Sequence, residues 1–215
     1  EVIENEFCSL AEQHNFARQL LIDSEWVLRL DSDWIVTDEL RTELLNLSSL
    51  NVINGFLIPF KFFVYGEHVR LGLYPPVIAL YRPRSSFYIQ DGHTERILCE
   101  GSIGRLNSCM QHDDRKIIDR FFQSQINYSK AEVQKILQKC EHSNISIKSK
   151  IKYLLRDYPL LAPISVIVYL GIFRLGFFRN SSERHYLLQR LVAESIISLR
   201  LIDERVRRSR KNLRL

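Results

Sequence analysis

The stretch that most constrains this chain is Trp26–Thr37, WVLRLDSDWIVT. A short apolar run bounded by polar residues reads as a strand buried in a parallel sheet. The run ends in Asp31-Ser32-Asp33, and in open α/β sheets ligands bind beyond the carboxyl ends of the strands. Two acids separated by one residue can turn to the same side. Their oxygens suit a hard divalent cation, Mg2+ or Mn2+, that keeps positions open for phosphate. The competing reading is plainer: D-x-D is a common tripeptide, and two acids at a strand end usually form a turn or a helix cap.

The flanking segments frame that strand. Phe7, Leu10, Ala11, His14, Ala17, Leu20 and Leu21 recur at helical spacing, which predicts a helix from Glu1 to Ser24. Thr37 followed by Asp38-Glu39 predicts a capped helix to about Leu47. Residues 54–64, NGFLIPFKFFV, read as a strand in which Pro59 marks an edge or bulge. Val69–Leu73 and Val77–Tyr81 are further extended pieces, separated by Tyr74-Pro75-Pro76.

Residues 87–103, FYIQDGHTERILCEGSI, gather Asp91, His93, Glu95 and Arg96 within six positions, and Gly92 lets the backbone bend close to a ligand. An acid here can act as general base towards an acceptor hydroxyl; a polar hairpin tip would look the same. A last extended piece, 104–112, ends at His112, which is either a ligand or a structural histidine. A long helix is expected from Asp114 to about Cys140.

The chain has 215 residues and is 46% hydrophobic, enough for one sizeable core or one domain with an appendage. The four cysteines form no C-x-x-C, so a zinc site is not expected. No cleavable leader is recognised, and the expected setting is cytoplasmic, with reduced thiols. Net charge is +5, and the tail from Arg200 carries five arginines and a lysine beyond it against Asp203 and Glu204. A cationic end suits an anionic partner.

After a basic stretch at 141–158, Pro159–Phe178 reads PLLAPISVIVYLGIFRLGFF. Its unbroken apolar part is shorter than the roughly 20 residues of a spanning helix. A buried helix, an in-plane or re-entrant membrane helix, and a span compete. Arg174 and Arg179 can snorkel, which favours the in-plane or re-entrant form. A further amphipathic helix is expected over 185–201. The arginine-rich tail then favours anionic lipid; nucleic acid is not expected, because no recognised module accompanies it.

The pieces resemble the family 2 inverting glycosyltransferases of the GT-A fold, most of all the bacterial branch containing lipopolysaccharide core glycosyltransferases. The resemblance lies in Trp26-Val27-Leu28-Arg29-Leu30-Asp31-Ser32-Asp33, similar to W-V-L-x-L-D-A-D-E. It continues in Asn54-Gly55, in Tyr65-Gly66 with Val69-Arg70-Leu71-Gly72, and in His93-Thr94-Glu95-Arg96-Ile97 with Gly101. It ends in His112 and Asn127-Tyr128-Ser129. These fall in family order over roughly residues 7–135.

The resemblance implies an α/β fold, an incomplete GT-A-like, Rossmann-like mixed sheet flanked by helices over 1–140; the residues beyond it read as a helical, membrane-associating appendage over 141–215. It implies inverting transfer of a sugar from a nucleotide-diphosphate donor to a lipid-linked or saccharide acceptor at the inner face of the membrane. Asp31, Asp33 and His112 would hold Mg2+ or Mn2+. Asp31, Arg96 and His93 would bind the donor. Glu95 would be the base, with Asp91 in reserve.

Departures are visible. Trp34 stands where the family often has an acid, and the family's histidine aligns with Thr94 rather than His93. The family's opening βαβ portion has no counterpart, so the chain is expected to be a fragment or the product of a shortened gene. The alternative is a non-catalytic remnant or partner subunit that keeps the acceptor and membrane side. A basic membrane-surface or nucleic-acid adaptor is the third reading.

Overall fold

The computed structural model of the chain describes residues 2–47, 52–92, 94–138 and 157–212. The chain forms two compact units, Glu1–Arg115 and Lys116–Leu215. The expected boundary at residue 140 thus falls inside the second unit. The long helix before it packs on the C-terminal helix of the same unit.

The first unit is α/β with mixed sheets. Helix α1 (Leu10–Leu20) opens at Ser9, whose hydroxyl accepts from the Glu12 amide at 3.1 Å. It is shorter than the helix expected over 1–24. The acid-bearing stretch supplies two short strands, β1 (Val27–Leu28) and β2 (Trp34–Val36). Helix α2 (Asp38–Leu45) follows and is capped by Thr37, as its sequence predicts. The run 53–64 makes two strands, β3 (Ile53–Ile58) and β4 (Phe60–Val64). Pro59 has no amide hydrogen to continue the ladder, and the chain changes sheets there.

A Tyr65-Gly66 turn, both residues at positive φ, leads from β4 into β5 (Glu67–His68). Then come β6 (Val77–Tyr81), the hairpin β7 (Ser86–Asp91) and β8 (Thr94–Cys99), β9 (Ser102–Arg105) and β10 (Met110–Asp114). The expected single piece over 104–112 is therefore two strands in different sheets.

One sheet has the order β1-β6-β3-β9 and the other β2-β10-β4-β5. The β3–β9 and β10–β4 pairs are parallel; the remaining pairs are antiparallel. The expectation of a central, parallel strand at Trp26–Leu30 is corrected here. β1 lies at the edge of its sheet, antiparallel to β6, with Val27 opposite Tyr81. An apolar run records burial, and it does not record the direction of its neighbour.

The core of this unit joins both sheets and α2: Trp34, Leu40, Phe56, Ile58, Ala79, Leu80, Leu106 and Met110 pack together. A smaller cluster of Ala11, Val27, Tyr81 and Tyr88 seats α1 on the β7–β8 ribbon. The Asn15 side chain donates to the Tyr88 carbonyl at 2.8 Å and accepts from its amide at 2.9 Å, standing in for a neighbouring strand.

The second unit is helical. It contains α3 (Ile118–Gln138), α4 (Leu161–Val166) continued by a π-helical stretch Ile167–Phe173, a 3-10 turn Gly176–Phe178, and α5 (Ser181–Asn212). Val133, Ala162, Val166, Leu170, Leu187 and Leu201 are buried in it. Among the described residues no helix is long and apolar enough to cross a membrane.

Candidate functional site

Asp31 and Asp33 sit in the tight turn between β1 and β2, which belong to different sheets. The Trp34 amide donates to the Asp31 carbonyl at 3.0 Å. β10 lies beside β2, and the Asp113 amide donates to the Asp33 carbonyl, also at 3.0 Å. That pairing sets His112 opposite Trp34 and brings His112 Nε2 to 3.2 Å from Asp33 Oδ2. His112 is buried, and Tyr74 lies edge-on to it with centroids 4.7 Å apart. The His112 ring nitrogens are out of contact with water and make no directed hydrogen bond. Nε2 faces the Asp33 carboxylate, and a buried polar atom such as Nδ1 calls for a physical reason, such as a ligand that completes it.

Arg29 joins Asp31 to the ribbon. Its guanidinium donates to Glu95 Oε1, and its Nε lies 3.6 Å from Asp31 Oδ1. It also lies over Trp34, 4.9 Å from the ring centroid, and nearer Trp34 than Tyr88. From α1, His14 Nε2 lies 3.7 Å from the same Oε1 of Glu95, and its ring stacks on Tyr88. Both contacts thus engage one oxygen of Glu95.

The electrostatics of the cluster reflect burial and crowded acids. Burial pushes the Asp31 carboxyl up; Arg29 opposes this, and Glu95 and Asp33 then push it further. Burial and then Arg29 lower His14 and keep it neutral at pH 7. The Tyr74 phenol is pushed up to about 12, by burial first and by Asp31 and Asp33 next, so it stays protonated.

Alternation along the ribbon sorts the remaining candidates. Gln90 pairs with Glu95 and Tyr88 with Ile97, on the face that meets α1. Asp91 pairs with Thr94 and Ile89 with Arg96, so Asp91 and Arg96 lie on the opposite face. The structure therefore brings Asp31, Asp33, Glu95 and His112 into one cluster and leaves Asp91 and Arg96 outside it. His93 lies outside the described residues. Gly92, at φ +73, makes the bend its sequence position suggested.

Arg29, His14 and Tyr74 belong to the cluster, although none was a sequence candidate. For Arg29 the signal was present: a cation inside an apolar strand needs an acid partner.

The donor set suits a cation in part. Asp33 and His112 offer a carboxylate oxygen and an imidazole nitrogen 3.2 Å apart, while Asp31 is engaged by Arg29. Among the described residues no three His, Cys, Asp or Glu side chains form a ready-made ligand group. One or two protein ligands with remaining positions for phosphate is a usual arrangement for Mg2+. A cleft of about 540 Å3 elsewhere on this unit is lined by Thr37, Asp38, Lys61, Ser108 and Gln111, and not by Asp31, Asp33 or Glu95.

Comparison of the chain with known protein families, with curated proteins and with solved structures yields no match.

Proposed function

We propose that the chain carries the metal- and acceptor-side machinery of an inverting GT-A-type glycosyltransferase, acting on a nucleotide-diphosphate sugar and a lipid-linked or saccharide acceptor. One observation supports this reading above the rest. Acids and a histidine from three separate segments meet at the β1–β2 turn, where the buried His112 imidazole faces the Asp33 carboxylate.

Asp33 and His112 would hold Mg2+ or Mn2+, whose bound form offsets charge on a departing diphosphate. Arg29 bridges Asp31 and Glu95 and so ties the turn to the ribbon. Glu95 keeps Oε2 for the acceptor hydroxyl, while Oε1 is held by Arg29 and His14. The protonated Tyr74 phenol supplies a donor beside the acids. Removal of the acceptor proton by a fixed carboxylate contributes roughly 100- to 10,000-fold in rate.

Titration calorimetry of this chain with nucleotide-diphosphate sugars and Mn2+ tests the reading. Binding that needs the metal, and that weakens at least about tenfold in Asp33→Ala, is the expected result. Glu95→Gln is expected to keep binding and lose transfer. Unchanged transfer in Glu95→Gln would remove the base assignment.

A second reading, a non-catalytic partner subunit, is favoured by the edge position of β1. A companion chain carrying the nucleotide half would have a strand edge to join. No donor binding by this chain alone, and binding once a companion is added, would select it.

A further inference from the structure

The α4–π segment is apolar on two sides. Ala162, Val166 and Leu170 are buried against the rest of the unit, and α4 packs on α5. Yet Leu161, Ile164, Val168 and Ile172, at helical spacing on another face, are exposed. The face ends in a turn that presents Phe173 and Phe178, which are 75% and 85% exposed. A solvent-exposed apolar face of this extent marks a site of interaction.

The turn itself is built. Phe177 covers Gly171 so closely that a Cβ there would lie 2.3 Å from the ring. Leu175 adopts a left-handed conformation, φ 57, and is still 57% exposed. A left-handed leucine is unfavourable, and this one gains no core packing in return. Strain of this kind points to function.

Charge identifies what the face meets. From Tyr158 to Ser182 the chain has no acid and two arginines, Arg174 and Arg179. A protein-binding rim ordinarily carries polar groups of mixed kind; here the charged groups next to the apolar turn are Arg174 and Arg179, with Glu183, the partner of Arg179, buried. The whole unit has twenty Lys and Arg against eight Asp and Glu, whereas the first unit has ten against seventeen.

We propose that this face docks on the surface of an anionic lipid bilayer. Leu161, Ile164, Val168 and Ile172 would lie in the interface, Phe173 and Phe178 would insert, and Arg174 and Arg179 would reach the headgroups. The helix from Leu161 to Phe173 is too short to span. The inference rests on the second unit's surface and needs no donor sugar, so it stands or falls apart from the transfer reading.

Vesicle flotation tests it, with phosphatidylcholine alone and with about one-third phosphatidylglycerol added. The chain is expected to float with the anionic vesicles. Phe173→Glu/Phe178→Glu is expected to lower partitioning at least tenfold with unchanged circular dichroism. Leu45→Glu, an exposed apolar position in the first unit, should change nothing. Equal flotation of wild type and the double variant would overturn the proposal, as would no flotation at all. So would a dimer that the double variant splits while flotation persists, since a second copy would then cover the face.

Discussion

Arg29 is shared by two carboxylates from distant segments, and its own burial removes it from compensating water. Arg29→Met is therefore expected to destabilise the chain by about 3 kcal/mol, because it strands Glu95 and Asp31 together. Urea unfolding at pH 7 measures this. Asp31 should behave in the opposite sense. Its carboxyl is raised in the folded chain, by burial first, so the native state holds that proton more tightly than the unfolded chain does. Ionisation then costs stability as pH rises from the ordinary value of 3.8 through the raised one. Asp31→Asn is expected to melt higher than wild type at pH 7, with the gain vanishing below pH 3.8. Much of this cluster was legible in the sequence: Asp31 and Asp33 close the apolar run from Trp26, Glu95 lies in a stretch dense in titratable groups, and His112 ends an extended piece. The partnership of Arg29 with Glu95 was not, because it spans segments that only the fold brings together. Nor was the side of the ribbon on which Asp91 and Arg96 fall, which depends on register.

At the level of elements, local chemistry carried more than neighbourhood did. Thr37 caps α2 and also donates to the Cys109 carbonyl at 3.1 Å. Thr37→Ala is expected to cost about 1 kcal/mol, and Thr37→Ser to keep most of it, by thermal denaturation. In β9, Gly104 lies under the Phe56 ring, where a Cβ would come within 2.6 Å of it. Gly104→Ala is expected to cost about 1–3 kcal/mol through overpacking, and a Phe56→Leu background should relieve part of this. The alternating and apolar runs disclosed the strands, and Pro59 their break. What they could not disclose was pairing. β1 reads like a buried parallel strand and is an antiparallel edge, and the segment around Ser102–Asp114 feeds two sheets. Strand partners are long-range facts, whereas caps and turns are written within a few residues.

For the molecule as a whole, the two units carry opposite charge, and the helical one holds the cationic excess. Adsorption to anionic vesicles should accordingly weaken at least about tenfold between low and high salt as headgroup attraction is screened. A residue of apolar adsorption should survive in high salt and vanish in Phe173→Glu/Phe178→Glu. The division at Arg115 assigns α3 to the helical unit, a grouping set by packing that its amphipathic sequence does not specify. Leu175 adds a last consequence. Leu175→Gly would relieve its backbone and leave thermal stability unchanged or up to about 1 kcal/mol higher, while thinning the greasy tip. Directed evolution that rewarded heat tolerance alone would tend to discard this leucine, and the survivors would be hardier in a test tube and worse at holding their place on a lipid film.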